Sequence, residues 1–332
     1  MNASGTIDSR GAAPSGRTAR VGGLIRPLLS LLTAALCTAA VVGLARGAVG
    51  TASGQRLDQL ILSGAKAHEG PLSQYAELAV QSVSVPVIAV LLALAAVLVL
   101  VRRRLRLLIP LTVLVVGANL TTQVIKHVLV TRQALGPGID ITPNSFPSGH
   151  TTLAATAMIA LVLAGGRARV VLAPVGALWT LAAGLGTLVV GWHRPSDVIG
   201  AIAVAAAWTF LILAADGLHT RHRRARAAAQ PGRGRRRRGI DPAGPSRPAR
   251  HGAGTAVMAA VLGLAGLVGL GIGALGLLAL PRPLDLHDVP QQLAAFRATA
   301  ALIGGGTGAW MALVLVLRTP ISHRRRMDER VP

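Results

Sequence analysis

Two short segments of this chain carry groups suited to chemistry. Phe146-Pro147-Ser148-Gly149-His150 and Gly191-Trp192-His193-Arg194-Pro195-Ser196-Asp197 each set a histidine at the end of a long apolar run, with Lys126 and Arg132 upstream. Pro147 closes a loop and Ser148-Gly149-His150 opens a helix, so free backbone N–H groups, the helix dipole and the Ser148 hydroxyl point to a place where an anion can be held. Gly149 lets the backbone come close to that anion. Lys126 and Arg132 add positive charge, and the Arg132 fork can grip two phosphate oxygens. The set is a phosphate cradle that requires neither a metal nor an organic cofactor. His193 and Asp197 are four residues apart across the Pro195-led start of a helix, a spacing that lets the carboxylate reach the imidazole and fix its tautomer. An imidazole so held can attack phosphorus while the second histidine protonates the leaving oxygen. The expectation is His193 as nucleophile and His150 as acid.

The elements that must position these groups are apolar helices. Hydrophobic residues make up 52% of the 332 and charged residues 14%, and the apolar residues fall in blocks near the span length of about 20. Eight spans are expected, at 27–45, 85–101, 107–125, 151–165, 170–190, 198–215, 253–280 and 298–317, the fourth being the shortest. Arginines gather at every second connection: Arg10, Arg17, Arg20 and Arg26, then Arg102, Arg103, Arg104 and Arg106, then Arg167 and Arg169, the loop at 217–252, and Arg324, Arg325 and Arg326. The positive-inside rule makes these connections cytoplasmic. Both termini then lie inside a multi-pass protein of the cell membrane, and Lys126, His150, His193 and Asp197 converge on its outer face. Connections of mixed charge, such as the one holding Arg56, Asp58, Lys66, Glu69 and Glu77, are expected as outer loops.

The expected fold class is all-α, a polytopic membrane helix bundle. Residues 1–22 form a disordered cytoplasmic tail, 23–219 a six-span core with all the polar chemistry, 220–252 a basic disordered cytoplasmic loop, 253–318 a two-span appendage and 319–332 a basic tail. Glycines crowd the appendage, which suits close helix packing or an oligomer contact.

A net charge of +22 raises nucleic acid as a partner. Arg233 and Arg235 to Arg238 lie in a Pro/Gly-rich linker without aromatics, so topology setting and contact with anionic lipid account for them, and no specific nucleic-acid partner is expected. Cys37 alone, inside the first apolar run, excludes a disulfide framework and a thiolate metal cluster. The first span has a second reading as a cleaved signal ending at Gly43-Leu44-Ala45. Trp192 suits either the interface belt or the rim of a substrate entrance. Asn119 should bond across helices, Phe146 should pack under its loop, and His127, turned about 100° from Lys126, suits a structural role.

Lys126 to Arg132, Pro-Ser-Gly-His at 147–150 and His193-x-x-x-Asp197 together resemble the type 2 phosphatidic acid phosphatase superfamily, integral-membrane lipid phosphatases whose site is shared with vanadium haloperoxidases. The resemblance covers about residues 85–215. It implies a six-helix phosphatase core, a phosphohistidine at His193, Asp197 as its orienting carboxylate, His150 as general acid, and Lys126, Arg132, Ser148 and Gly149 as phosphate ligands, with no metal. Two departures stand out. The family's first motif usually has six residues between Lys and an Arg-Pro pair; here five separate Lys126 from Arg132, and Gln133 follows. Its third motif usually has Ser-Arg where this chain has Gly186 and Thr187, so one phosphate-binding arginine is missing. Arg194 is a candidate substitute, with an interfacial anchor as its other reading. The implied activity is hydrolysis of a lipid phosphomonoester or diphosphate, such as a polyprenyl diphosphate, a phosphatidate-type lipid or a cell-wall lipid precursor. Two alternatives stay open: a phosphotransferase using the same phosphohistidine, and a catalytically degenerate membrane scaffold or permease. Oligomeric state is left open.

Overall fold

A computed structural model describes residues 16–67, 71–139, 144–229 and 252–318. Glu69, the N-terminal tail to 15, the basic linker at 230–251 and the C-terminal tail from 319 lie outside the described residues. Every described regular element is helical: α1 (Gly16–Leu44), α2 (Ala52–Lys66), α3 (Pro71–Gln81), α4 (Val85–Val101), α5 (Leu108–Val124), α6 (Gly149–Ala164), α7 (Arg169–Val189), α8 (Pro195–Ala229), α9 (Ala253–Leu278) and α10 (Val289–Leu317).

Six helices are long and apolar enough to cross a membrane, and the pair at Ser73–Gln81 and Val85–Val101, bent by 57°, makes a seventh span if it crosses as one broken unit. The fold is thus the all-α multi-pass bundle expected from composition. Two of the eight expected spans are shorter than a full crossing, and for α6 the reason is physical. Its 16 residues run almost entirely buried among α4, α5, α7 and α8. A helix sheathed by protein need not match the thickness of lipid. Small side chains permit this: Ala154, Ala155, Ala157 and Ala160 are all within 1% of full burial.

Other boundaries also differ from the sequence expectation. Helix α1 starts at Gly16, inside the stretch expected as tail, and α8 continues to Ala229, beyond the expected core end at 219. Apolar pattern marks where a helix meets lipid, whereas backbone hydrogen bonding carries a helix on into water. The connection expected as an outer loop holds α2 and α3. Thr51 caps α2 by accepting from Gly54 N at 3.0 Å. One face of α2 buries Leu60, Ile61 and Ala65, and it packs on α10.

The C-terminal pair is joined to the rest of the bundle. Helices α9 and α10 pack closely on each other, and α10 also packs on α2, α7 and α8. Gly266 and Gly305 allow this approach, since a Cβ on either would stand 2.6 Å and 2.4 Å from facing backbone nitrogens. Asn119 bonds across helices as expected, donating from Nδ2 to Thr156 Oγ1 at 3.2 Å. Phe146 is fully buried and lies against Gly200.

Candidate active site

At one end of the bundle the chain turns from α5 into the strap carrying Arg132, enters α6, and turns again from α7 into α8. Helix α5 ends in a π-helical turn, Ile125–Leu129, that holds Lys126. Asn144 ties this turn to the next segment, donating from Nδ2 to Lys126 O at 2.8 Å and Val130 O at 2.5 Å and accepting from Phe146 N at 3.1 Å. Gln55 of α2 clamps the strap, donating to Gln133 O at 2.8 Å and accepting from Leu135 N at 3.0 Å.

Ser148 caps α6. Its Oγ accepts from Thr151 N at 3.3 Å and from Thr151 Oγ1 at 3.0 Å, and the residue is fully buried. Its N–H donates to Asp197 O at 2.9 Å, locking the start of α6 to the start of α8. A Cβ on Gly149 would meet nothing nearer than 3.8 Å, so the space above it is open. His150 is exposed beside that space. Its ring centroid lies 6.3 Å from that of His193 and 5.7 Å from Trp192, which is 58% exposed at the rim. Lys126 stands close enough for its charge to act on His150.

His193 is buried, with Nδ1 3.4 Å from Asp197 Oδ2. The approach is close, but no aligned hydrogen bond forms. Asp197 is fully buried, and its Oδ2 also accepts from Ser145 Oγ at 2.5 Å and Arg194 N at 2.9 Å. The turn before His193 is fixed by Thr187 O, which accepts from Trp192 N and His193 N at 2.9 and 3.1 Å.

Arg132 does not stand free in the cradle. Its Nη2 lies 3.4 Å from Asp197 Oδ1 and 3.5 Å from Asp58 Oδ2, and donates to Ser196 Oγ at 3.3 Å, while Nη1 donates to Ser145 Oγ at 3.4 Å. The side chain is 5% exposed, and Nε is buried without a partner among the described residues. Arg132 is therefore a keystone between two carboxylates, with Nε its one wholly uncommitted donor group. Arg194 is 4% exposed, so it is buried and does not snorkel into an interface. Thr187, at the position of the absent arginine, turns its hydroxyl back to donate to Gly184 O at 2.7 Å.

Sequence reasoning missed three groups. Asp58 of α2 is buried in the site, where Oδ1 accepts from Ser196 N at 3.2 Å and Oδ2 accepts from Ser196 Oγ. Burial, then the nearby Asp197 charge, raises its carboxyl to about 7. Ser145 and Ser196 complete the network. A fourth neighbour is Lys66, at the end of α2. Its side chain crosses Gly191, whose φ is +76°, so closely that a Cβ there would stand 2.5 Å from Cε and 3.2 Å from Nζ. One sign of α2's role was present in the sequence: apolar Leu57, Leu60, Ile61 and Ala65 recur at helical spacing on the segment that holds Asp58.

Residues 86–221 match the family model described as the PAP2 superfamily, whose members are in general phosphatases acting on phosphoesters. No curated protein and no solved structure matches the chain. The matched segment contains both histidines, Asp197, Lys126 and Arg132 but neither α2 nor the C-terminal pair. Its motifs meet at one end of a helix bundle in the order the resemblance implied, and this segment belongs to the PAP2 superfamily.

Proposed function

We propose that the protein is a metal-independent lipid-phosphate phosphatase that acts at the outer face of the cell membrane through a phosphohistidine on His193. The observation that carries this reading is the line of Asp197, His193 and His150, with Nδ1 of His193 turned to a buried carboxylate and the His150 ring 6.3 Å beyond. With Nδ1 facing Asp197, Nε2 is the nitrogen left for attack. It forms a bond to phosphorus as the bond from phosphorus to the lipid oxygen breaks, and His150 gives that oxygen a proton. In the second half His150 takes a proton from water, the water oxygen attacks phosphorus, and the P–N bond breaks to release phosphate. Lys126, Lys66 and the first N–H groups of α6 surround the phosphoryl oxygens with positive charge. Arg132, braced by Asp58 and Asp197, contributes charge and fixes the turn. An apolar lipid chain suits a site that opens at the end of membrane-length helices beside the exposed Trp192.

Substitution of the two histidines tests the mechanism. His193→Ala should abolish both the phosphoenzyme and turnover. His150→Ala should slow release of a lipid alcohol much more than that of an activated aryl phosphate, the two diverging by a large part of the roughly 10²–10⁴-fold that general acid catalysis supplies. Equal losses on both substrates would remove His150 from the acid role, and a phosphoenzyme persisting in His193→Ala would remove His193. Transfer of phosphate to an added alcohol in preference to water would mark a phosphotransferase instead.

A further inference from the structure

Far from the histidines, four arginines from four elements converge at the other end of the bundle. Helix α6 separates the two ends, at about 1.5 Å per residue over its 16 residues. Arg102 follows α4, Arg104 precedes α5, Arg169 opens α7 and Arg318 closes α10. Arg102 braces the turn after α6, where its Nη1 donates to Ala164 O at 3.4 Å and rests on Gly166, whose φ is +59°. The other three have buried donors with no partner among the described residues, namely Arg104 Nη1, Arg169 Nε and Arg318 Nη1. Arg318 is only 7% exposed. Among the described residues its charge is opposed by those of Arg169, Arg104 and Arg102 and favoured by that of Asp216 of α8, and burial together with these neighbours lowers its guanidinium to about 10.

Topology setting does not explain this arrangement. A positive-inside arginine works equally well pointing into water, and a long side chain at a helix end reaches water readily. Here Arg318 is buried, Arg104 and Arg169 are half-buried with one donor nitrogen each shut off from water, and Asp216 is the one carboxylate among the described residues that favours the Arg318 charge. Such a cluster is balanced when an anion with several acceptor oxygens sits among the unpaired donors. The α7 N-terminus, without a side-chain cap, adds its dipole on the same side.

We infer that Arg104, Arg169 and Arg318 form a second phosphate-binding site, separate from the histidine site, that takes the phosphate group of an anionic lipid headgroup or of a soluble phosphate. It binds and does not react, since none of its groups is a nucleophile at neutral pH. An occupied site ties α10 to α5 and α7, and so stabilises the whole bundle.

Thermal unfolding of the full chain tests this. The wild type and Arg169→Gln/Arg318→Gln are compared in phosphatidylcholine nanodiscs, in nanodiscs of equal parts phosphatidylcholine and phosphatidylglycerol, and in phosphatidylcholine with inorganic phosphate. An upward shift of several degrees in wild-type Tm, lost in the double variant and retained in Arg106→Gln, is the expected result. A shift with phosphatidylglycerol alone identifies the lipid as source, and one with inorganic phosphate identifies a soluble anion. Equal shifts in wild type and double variant, or no shift in either, overturn the proposal. Mass spectra of the intact wild type need no variant to fold. They should show a retained phosphatidylglycerol or phosphate adduct and no phosphatidylcholine, and the absence of both anions also overturns it.

Discussion

On the proposed phosphatase reading, Thr187 leaves the pocket one positive charge short, and the Lys66 side chain lies across Gly191, two residues before His193. The chain has two lysines, Lys66 and Lys126, and both stand at this end of the bundle. A charge-assisted hydrogen bond contributes about 1.5–3 kcal/mol, so Lys66→Ala should raise KM roughly tenfold to a hundredfold with a smaller effect on kcat. Lys66→Arg should recover most of the loss, and an unchanged KM in Lys66→Ala would exclude the lysine from the cradle. Asp58 makes a second prediction. Its carboxyl is raised from 3.8 to about 7, so between those values the folded chain holds a proton that the unfolded chain has released. The stability tied to this group is present at the acid side of that window and is lost as pH rises through it. Asp58→Asn should flatten the fall in Tm between about pH 4 and 7 relative to wild type, and identical slopes would refute the assignment. Both residues illustrate what residue types alone conceal. His150, His193 and Asp197 were legible because their spacing is tied to helix geometry, whereas Asp58 reaches Ser196 across 138 positions of sequence, a proximity that no local pattern encodes.

The strongly apolar helices were legible from composition, because a membrane leaves few ways to satisfy backbone polar groups. Helix α2 was not, because it lies along the end of the bundle with one polar and one apolar face, and its charges resemble those of a loop. The short α6 was legible as an element, but its burial on all sides depends on neighbours that periodicity does not reveal. Helix α2 also gives the C-terminal pair a role that a packing appendage would lack, since it brings Asp58 and Lys66 to the site and rests on α10. Arg56 Nε donates to Leu284 O at 2.7 Å, and a Cβ on Gly64 would stand 2.1 Å from Gln292 O. A backbone carbonyl cannot yield as a flexible side chain can, so Gly64→Ala should push α2 away from α10. The expected destabilisation is about 1–3 kcal/mol, together with a fall in kcat/KM because Asp58 and Lys66 move with the helix. Gly271→Ala is the control: its Cβ would meet nothing within 4 Å, so stability should be unchanged or slightly raised by the better helix former, and activity unchanged. Loss of stability without any change in kcat/KM at Gly64→Ala would show that α2 does not position the site.

At the scale of the whole molecule, charge is distributed by end. The connections at the end opposite the histidines carry Arg102, Arg103, Arg104, Arg106, Arg167 and Arg169, while the site end mixes Arg132, Asp58 and Asp197 in one buried network. Helix directions therefore place the two chemistries on opposite faces of whatever membrane the bundle crosses, and the arginine-rich face is the one that the positive-inside rule assigns to the cytoplasm. Cysteine labelling can test the orientation because Cys37 is the sole native cysteine and lies half-buried in α1. In a Cys37→Ser background, Leu135→Cys stands on the exposed strap beside Arg132, and Arg167→Cys on the exposed turn between α6 and α7. An impermeant thiol reagent added to intact cells should label Leu135→Cys, and should reach Arg167→Cys only after the membrane is opened. The opposite pattern would put the histidines on the cytoplasmic side. A substrate in the inner leaflet would then replace the proposed outer-leaflet lipid, while the proposed phosphohistidine chemistry, which depends on His193 and Asp197 rather than on orientation, would be unaffected.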